Sequence, residues 1–357
     1  MLGLGDNIRN TMKTLIKILL ISMGAVLAAA IAIAGYLIYP GTPNSASSLI
    51  FRGYVPLPSD SVLSVLDYLT VRGDELFVTN ETTGNVYRVK IHKDALPSPA
   101  DVARLAGEPA AHGVVIEPTS HLAFLTRSEA NTVDIFDPEK MTVIKRIPVA
   151  DDPDAIFYDE FARLIYVASG DSHVATLIDP STQASLGTIP LGGKPEFATL
   201  DASTRLLYQN LHDTDSVAAV DITTRTVAQS WPLQGCKAPT GMAIDEVNRR
   251  LFIGCGANAA LAIFDLTEHR VVAIVPIGKG PDSVAFDPAL HRIYTTGKSG
   301  ILVVVQQEEP NKYRILDTLH LHYGAHTLAV DPATHTLYVG YAGLVVYPRV
   351  AVFTPRT

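Results

Sequence analysis

One short phrase of sequence is repeated seven times between Asp67 and the C-terminus, and it leaves few folds open. Its clearest copy is GPDSVAFDPALHRIYTTG, Gly280 to Gly297: a polar residue, an apolar run, an acid–Pro turn, a second apolar run and a Gly exit. The first runs are DYLTV from Asp67, HGVVI from His112, DAIFY from Asp154, EFATL from Glu196, TGMAI from Thr240, DSVAF from Asp282 and HTLAV from His326. The steps between them are 45, 42, 42, 44, 42 and 44 residues. An acid follows in six copies, at Glu117, Asp159, Asp201, Asp245, Asp287 and Asp331. These acids read as turn formers, because Asp caps its own turn and a following Pro fixes φ.

A second apolar run follows each turn, such as LIYVA at Leu164 and LFIGC at Leu251. A third ends in Asp137, Asp179, Asp221 or Asp265, and a fourth runs into Pro148, Pro190, Pro232 or Pro276. Four short strands in a period near 40 describe a propeller blade. Continuous apolar runs suit sheets covered on both faces. The spacing therefore predicts an all-β, seven-bladed β-propeller of four-stranded blades over residues 51–357. The last unit lacks its fourth strand. FRGYVPLP, Phe51 to Pro58, matches that missing strand, so Phe51–Pro56 is expected to close the ring by pairing with the C-terminal blade.

The repeat resembles the YVTN β-propeller family, whose motif Phe77-Val78-Thr79-Asn80 nearly reproduces, with Ile165-Tyr166-Val167 and Leu337-Tyr338-Val339 as looser matches. The resemblance covers Phe51 to Phe353. It implies an extracytoplasmic propeller that binds a partner or ligand. A WD40 array fits poorly, since the chain has one Trp, Trp231, and no Trp-Asp pair.

Residues 18–39, ILLISMGAVLAAAIAIAGYLIY, carry no charge and follow a flank, residues 1–17, with Arg9, Lys13 and Lys17. A bilayer needs about 20 apolar residues, and a basic flank stays cytoplasmic. The expectation is one N-terminal transmembrane helix with the propeller on the periplasmic side. A cleaved signal peptide, cut near Ala32-Ile33-Ala34, is the competing reading. Residues 40–50 read as a short polar linker.

The chain carries −8, and residues 1–40 contribute +2, which leaves −10 on the rest. An acidic domain without a basic stripe is a poor nucleic-acid binder. The expected partner is a protein of a membrane complex. Cys236 and Cys255 fall at the same end of the fifth blade, and an exported compartment permits the disulfide expected between them.

The candidate site is the ring formed by the first residue of each inner strand: Asp67, His112, Asp154, Glu196, Thr240, Asp282 and His326. All are polar and all face the mouth of the central channel. His112, His326 and Asp67 come from consecutive blades and form a candidate divalent-metal set. Without a metal, the clustered acids should raise one another's pKa and keep the histidines protonated. No organic cofactor is expected, and a quinone-type group has no residue in its support. Lys194, Lys237, Lys279, Arg127, His173 and His212 are expected on the loop face as a partner surface. His121, His291, His320, His322 and His335 read as surface residues. No nucleophile elbow, phosphate loop, HExxH or Ser–His–Asp order is present. The sequence thus supports a membrane-anchored periplasmic interaction module or accessory subunit, with a metal-dependent ligand binder or lyase/lactonase-like enzyme as the alternative.

Overall fold

The chain divides into two units, Met1–Pro40 and Gly41–Thr357. The computed structural model describes residues 17, 19–32, 46–58, 63–107, 110–343 and 346–356. Residues 19–32 are helical, with every side chain exposed. Among the described residues no helix is long and apolar enough to cross a membrane. The expected span over 18–39 lies partly outside the described residues.

The second unit is seven four-stranded antiparallel sheets; in six the innermost strand comes first in sequence, and in the seventh the outermost strand does. In blade three the strands are Pro153–Asp159, Leu164–Ser169, Val174–Asp179 and Ala184–Pro190. The second and third are buried almost throughout, as continuous apolar runs require. The fourth is mostly exposed and keeps Ile189 inward. The core is accordingly divided into layers between neighbouring sheets. Tyr166, Ala168 and Leu177 of blade three pack on Ala198, Leu207 and Val220 of blade four, and Tyr208 and Val217 of blade four pack on Met242 and Ile253 of blade five. Each layer removes apolar surface from water on two blades at once, so no blade is stable alone.

Leu49–Pro56 pairs antiparallel with Val346–Pro355, with Leu49 opposite Pro355, Pro56 opposite Arg349 and a register shift between Phe51 and Gly53. This supplies the outer strand of blade seven from the other end of the chain. The strand starts two residues before Phe51, so the linker expected over 40–50 is shorter. The reason is Asp317, whose carboxylate accepts the backbone N–H and hydroxyl groups of both Ser47 and Ser48. At Gly53, with φ +141°, a Cβ would stand 2.5 Å from Leu96 Cδ1 of blade one.

The acids after the strands are turn formers. Asp159 accepts the N–H groups of Phe161 and Ala162, Asp287 those of Ala289 and Leu290, and Asp137 those of Glu139 and Lys140. The fourth residue after the acid then turns left-handed, as at Arg163, His291 and His335. Histidine is among the residues enriched there, which accounts for His121, His291 and His335. His335 does more than face solvent: its Nδ1 lies 2.9 Å from Asp287 of the preceding blade. Arg249 bridges to Asp201 in the same way, with both contacts at 2.7 Å. His320 is exposed, but His322, also expected at the surface, is buried. Its backbone N–H donates to the Tyr341 hydroxyl, which draws the loop inward against blade seven.

Candidate functional site

Six of the seven inner strands begin with a break in their ladder. The register shifts between Leu66 and Leu69, Ala111 and Val114, Pro153 and Ile156, Pro195 and Ala198, Pro239 and Met242, and Pro281 and Ser283. Asp67, His112, Asp154, Glu196, Thr240 and Asp282 lie inside these breaks. A bulge frees a residue from pairing and re-aims its side chain.

The backbone groups released by the bulges are satisfied by neighbouring side chains. Thr79 Oγ1 accepts the Tyr68 N–H at 2.9 Å, and Gln209 Nε2 donates to the Glu196 carbonyl at 2.9 Å. Others reach the next blade: Thr126 Oγ1 donates to the Asp154 carbonyl at 2.6 Å and Asn210 Nδ2 to that of Thr240 at 2.6 Å; at blade seven, whose inner strand has no such bulge, Thr296 Oγ1 donates likewise to the His326 carbonyl at 2.7 Å. The Thr79-Asn80 pair therefore has a structural role. Thr79 holds the bulge, while Asn80 accepts the Thr83 N–H and donates to Ser64 Oγ.

His112 Nδ1 lies 2.6 Å from Asp67 Oδ2 and 3.5 Å from Asp154 Oδ1. Its Nε2 lies 2.9 Å from Ser128 Oγ. Among the described residues, Asp67, His112 and Asp154 form the group whose donor atoms lie within 4.8 Å of one another. His326 does not join it. The inner strand of blade seven starts at Leu328, so His326 stands in the loop before it. There Nδ1 is held by the Gly324 carbonyl at 2.8 Å, and Nε2 lies 3.7 Å from Asp282 Oδ2. Asp154 takes the place expected for His326.

Asp67, Asp154, Glu196, Thr240, Asp282 and His326 line one cavity of about 210 Å³. Its floor is aromatic. Tyr68 of blade one stacks on Phe197 of blade four at 6.1 Å and 16°, and Phe157 meets Phe197 edge-on at 5.2 Å. Blades one and four are not neighbours, so this contact crosses the channel.

The ring's buried carboxyl groups hold their protons to higher pH than usual. Burial pushes Glu196 up to about 8, helped by the charges of Asp154 and Asp282 and opposed by Lys194 and Lys298. Burial, then the Asp67 charge, also lifts Asp154, and burial lifts Asp282. For His112 burial alone would favour the neutral ring. The hydrogen bond and charge of Asp67, with Asp154 behind it, outweigh that and raise its pKa to about 9. At neutral pH the imidazole is charged, both nitrogens donate, and Ser128 Oγ accepts. The Asp67–His112–Ser128 chain, which the order of residues did not reveal, thus leaves Ser128 without a base to activate it.

The loop face holds most of the expected cations. Lys194 lies 3.6 Å from both Asp152 and Asp171, Lys237 lies 2.6 Å from Asp215, and Lys279 and His173 are exposed. His212 is half-buried, and burial lowers its pKa. Arg127 is the exception: it is buried, its Nε 3.1 Å from Asp134 and its Nη1 donating to the Gly84 carbonyl. An arginine at the end of a covered second strand has an acid on the adjacent strand to fold onto. Cys236 and Cys255 form a buried disulfide.

Tyr68 and Phe197 are the site residues that sequence reasoning missed, though a signal existed. The position after the ring residue is Gly113, Ala155, Gly241, Ser283 and Thr327 in the other blades, and large here.

No family model matches the chain, and no curated protein matches it. Many solved structures do. Hydrazine synthase of Kuenenia stuttgartiensis aligns with TM-score 0.69 at 15% identity, over 83% of this chain and 96% of that one. Virginiamycin B lyase of Staphylococcus aureus aligns with TM-score 0.68 at 11% identity, over 86% and 99%. A catalytically inactive form of that lyase with quinupristin aligns with TM-score 0.68 at 12% identity over the same shares. The likeness is one of fold. The chain is a seven-bladed β-propeller, and the YVTN resemblance rests on its motif residues alone.

Proposed function

We propose that this propeller is a ligand-binding protein that holds a divalent cation at Asp67, His112 and Asp154. One observation carries this: donor atoms from three blades lie within 4.8 Å of one another. One imidazole nitrogen and two carboxylates suit a borderline-to-hard ion such as Mn²⁺. The cation would take the place of the imidazole proton. Metal ligands bind deprotonated, so uptake near neutral pH should release about one proton.

Titration of the full-length protein with Mn²⁺ by calorimetry, in buffers of different ionisation enthalpy, tests the reading. Saturable binding with proton release is expected, and loss of both in His112→Ala and Asp154→Asn. Unchanged Mn²⁺ binding in these variants, or none in the parent, would sink it. The lyase and the synthase among the similar structures share this architecture, but fold does not carry activity.

A second reading, a membrane-anchored periplasmic accessory subunit, is favoured by the helix at residues 19–32. It exposes Leu19, Leu20, Ile21, Met23, Val26, Leu27 and Ile31. A pull-down from native membranes that recovers a stoichiometric membrane protein supports it. A lone protein in the soluble fraction refutes it.

A further inference from the structure

The seam where the ring closes holds a cavity of its own. In blades two to five the third and fourth strands are joined by four residues, such as 138–141 and 180–183. In blade one eleven residues, 91–101, lie between Val86–Lys90 and Val102–Leu105. The fold does not require that extra length, and loops on a rigid scaffold are where binding groups are usually placed. The loop is laid against the closing strand, with Leu96 beside Gly53. Between the loop and blade seven is a cavity of about 350 Å³. Ligand pockets begin at about that size.

We propose that this cavity binds a small organic carboxylate, its anionic head held by Arg52 and the Tyr338 hydroxyl and its apolar body against the loop. Arg52, on the closing strand, donates through Nε to Thr354 Oγ1 at 2.7 Å. That bond orients the guanidinium and leaves its two Nη groups without a protein acceptor among the described residues. A pair of parallel N–H groups matches a carboxylate bidentately. Lys93 also lines the cavity and has no carboxylate partner among the described residues. His92 is engaged by Asp101 at 2.8 Å, and Asp94 is the one acid among the described lining residues. Ile91, Ala95, Leu96, Pro97 and Val352 give the wall an apolar side. A bare inorganic oxyanion would leave that side unused, which selects an organic acid.

A separate observation points to a ligand. Tyr338 is 2% exposed, its ring packed in the layer between blades seven and one. Its hydroxyl makes no hydrogen bond to protein among the described residues, and the residue lines this cavity. The matching tyrosine of blade three, Tyr166, donates to Gln209 at 3.0 Å. Buried polar groups are nearly always partnered. Burial, then the charge of Asp331, pushes the Tyr338 phenol up to about 12, so it is a donor at neutral pH. A carboxylate in the cavity would accept from it. The ligand would touch blade one, the closing strand and blade seven together, and so stabilise the closed ring. The site shares no residue with Asp67, His112 and Asp154, so the two readings stand or fall separately.

The test is calorimetric titration of the full-length protein with sodium hexanoate and, separately, with its neutral analogue 1-hexanol and with inorganic phosphate. Hexanoate is expected to bind saturably, and hexanol and phosphate about tenfold or more weakly. Affinity for hexanoate should fall about tenfold or more in Arg52→Gln. It should fall about fivefold in Tyr338→Phe, which keeps the ring and removes only the hydroxyl. Saturating hexanoate should raise the melting temperature of the parent and not that of Arg52→Gln. Circular dichroism checks that each variant is folded. Should Arg52→Gln not fold, Tyr338→Phe is read with Lys93→Gln, where a loss of roughly threefold is expected. No saturable hexanoate binding, equal binding of hexanol or of phosphate, or undiminished binding in the folded variants overturns the proposal.

Discussion

The titrating residues divide between two ends of the pH scale. Glu117 accepts the N–H groups of Thr119 and Ser120, and these bonds outweigh its burial and hold its carboxyl down at about 2. Asp201, between Arg249 and the Ser203 and Thr204 hydroxyls, is held lower still. Their ion pairs and caps are present above the ordinary carboxylate range and are lost as pH falls through the folded values. The ring works in the opposite sense. Between the ordinary 4.5 and about 8 the folded protein keeps a Glu196 proton that an unfolded chain has released. Between 6.5 and about 9 it keeps a His112 proton likewise. That contribution is complete below the ordinary values and is lost as pH rises through the folded ones. The melting temperature of the metal-free protein should therefore peak near pH 5 to 6 and fall by a few degrees by pH 9. Glu196→Gln should flatten the alkaline limb. A melting temperature that rises steadily to pH 9 would contradict these assignments.

At the scale of the element, the inner-strand bulge is the unit that makes the site. It re-aims the ring side chain and leaves carbonyls that Thr126, Gln209 and Asn210 then bind. The bulges come with Pro153, Pro195, Pro239 and Pro281 in four blades. The disulfide belongs to the same scale. It joins the loop entering the inner strand of blade five to the end of that blade's second strand, with a sequence separation of 19. A loop of that length restricts the unfolded chain by about 3 kcal/mol. Cys236→Ser/Cys255→Ser, or reduction of the parent, should lower denaturant stability by roughly that amount without moving the Mn²⁺ affinity. An unchanged denaturation midpoint would show that the bridge contributes nothing.

For the whole molecule, closure is the dominant constraint. Every blade buries its faces against two neighbours, and blade seven does so with the help of Leu49–Pro56. The buried side chains of that strand, Leu49 and Val55, belong to two different interblade layers. Deleting Phe51 to Pro58 should leave the edge of Val346–Pro355 unpaired and open both layers, so aggregation is expected. A monodisperse, cooperatively melting deletion product would argue that the ring tolerates an open seam.

How much of this was legible in the chain depends on distance along it. Strand number, turn acids and blade count follow from a local phrase and its period, because each is decided by residues a few positions apart, and the closing strand is legible because its own sequence repeats the outer-strand pattern the last unit lacks. Other features depend on contacts the period does not encode. Asp154 rather than His326 completes the cluster around His112 because the last inner strand begins only at Leu328, which leaves His326 in the loop before it and beside Asp282. Arg127 is buried because Asp134 waits on the adjacent strand. The aromatic floor needs Tyr68 and Phe197 to meet across the channel from blades three apart, and only the closed ring sets that distance. Sequence by itself determined the blade; the tertiary structure decided which side chains of different blades meet, since a circle brings together residues that no linear spacing makes neighbours.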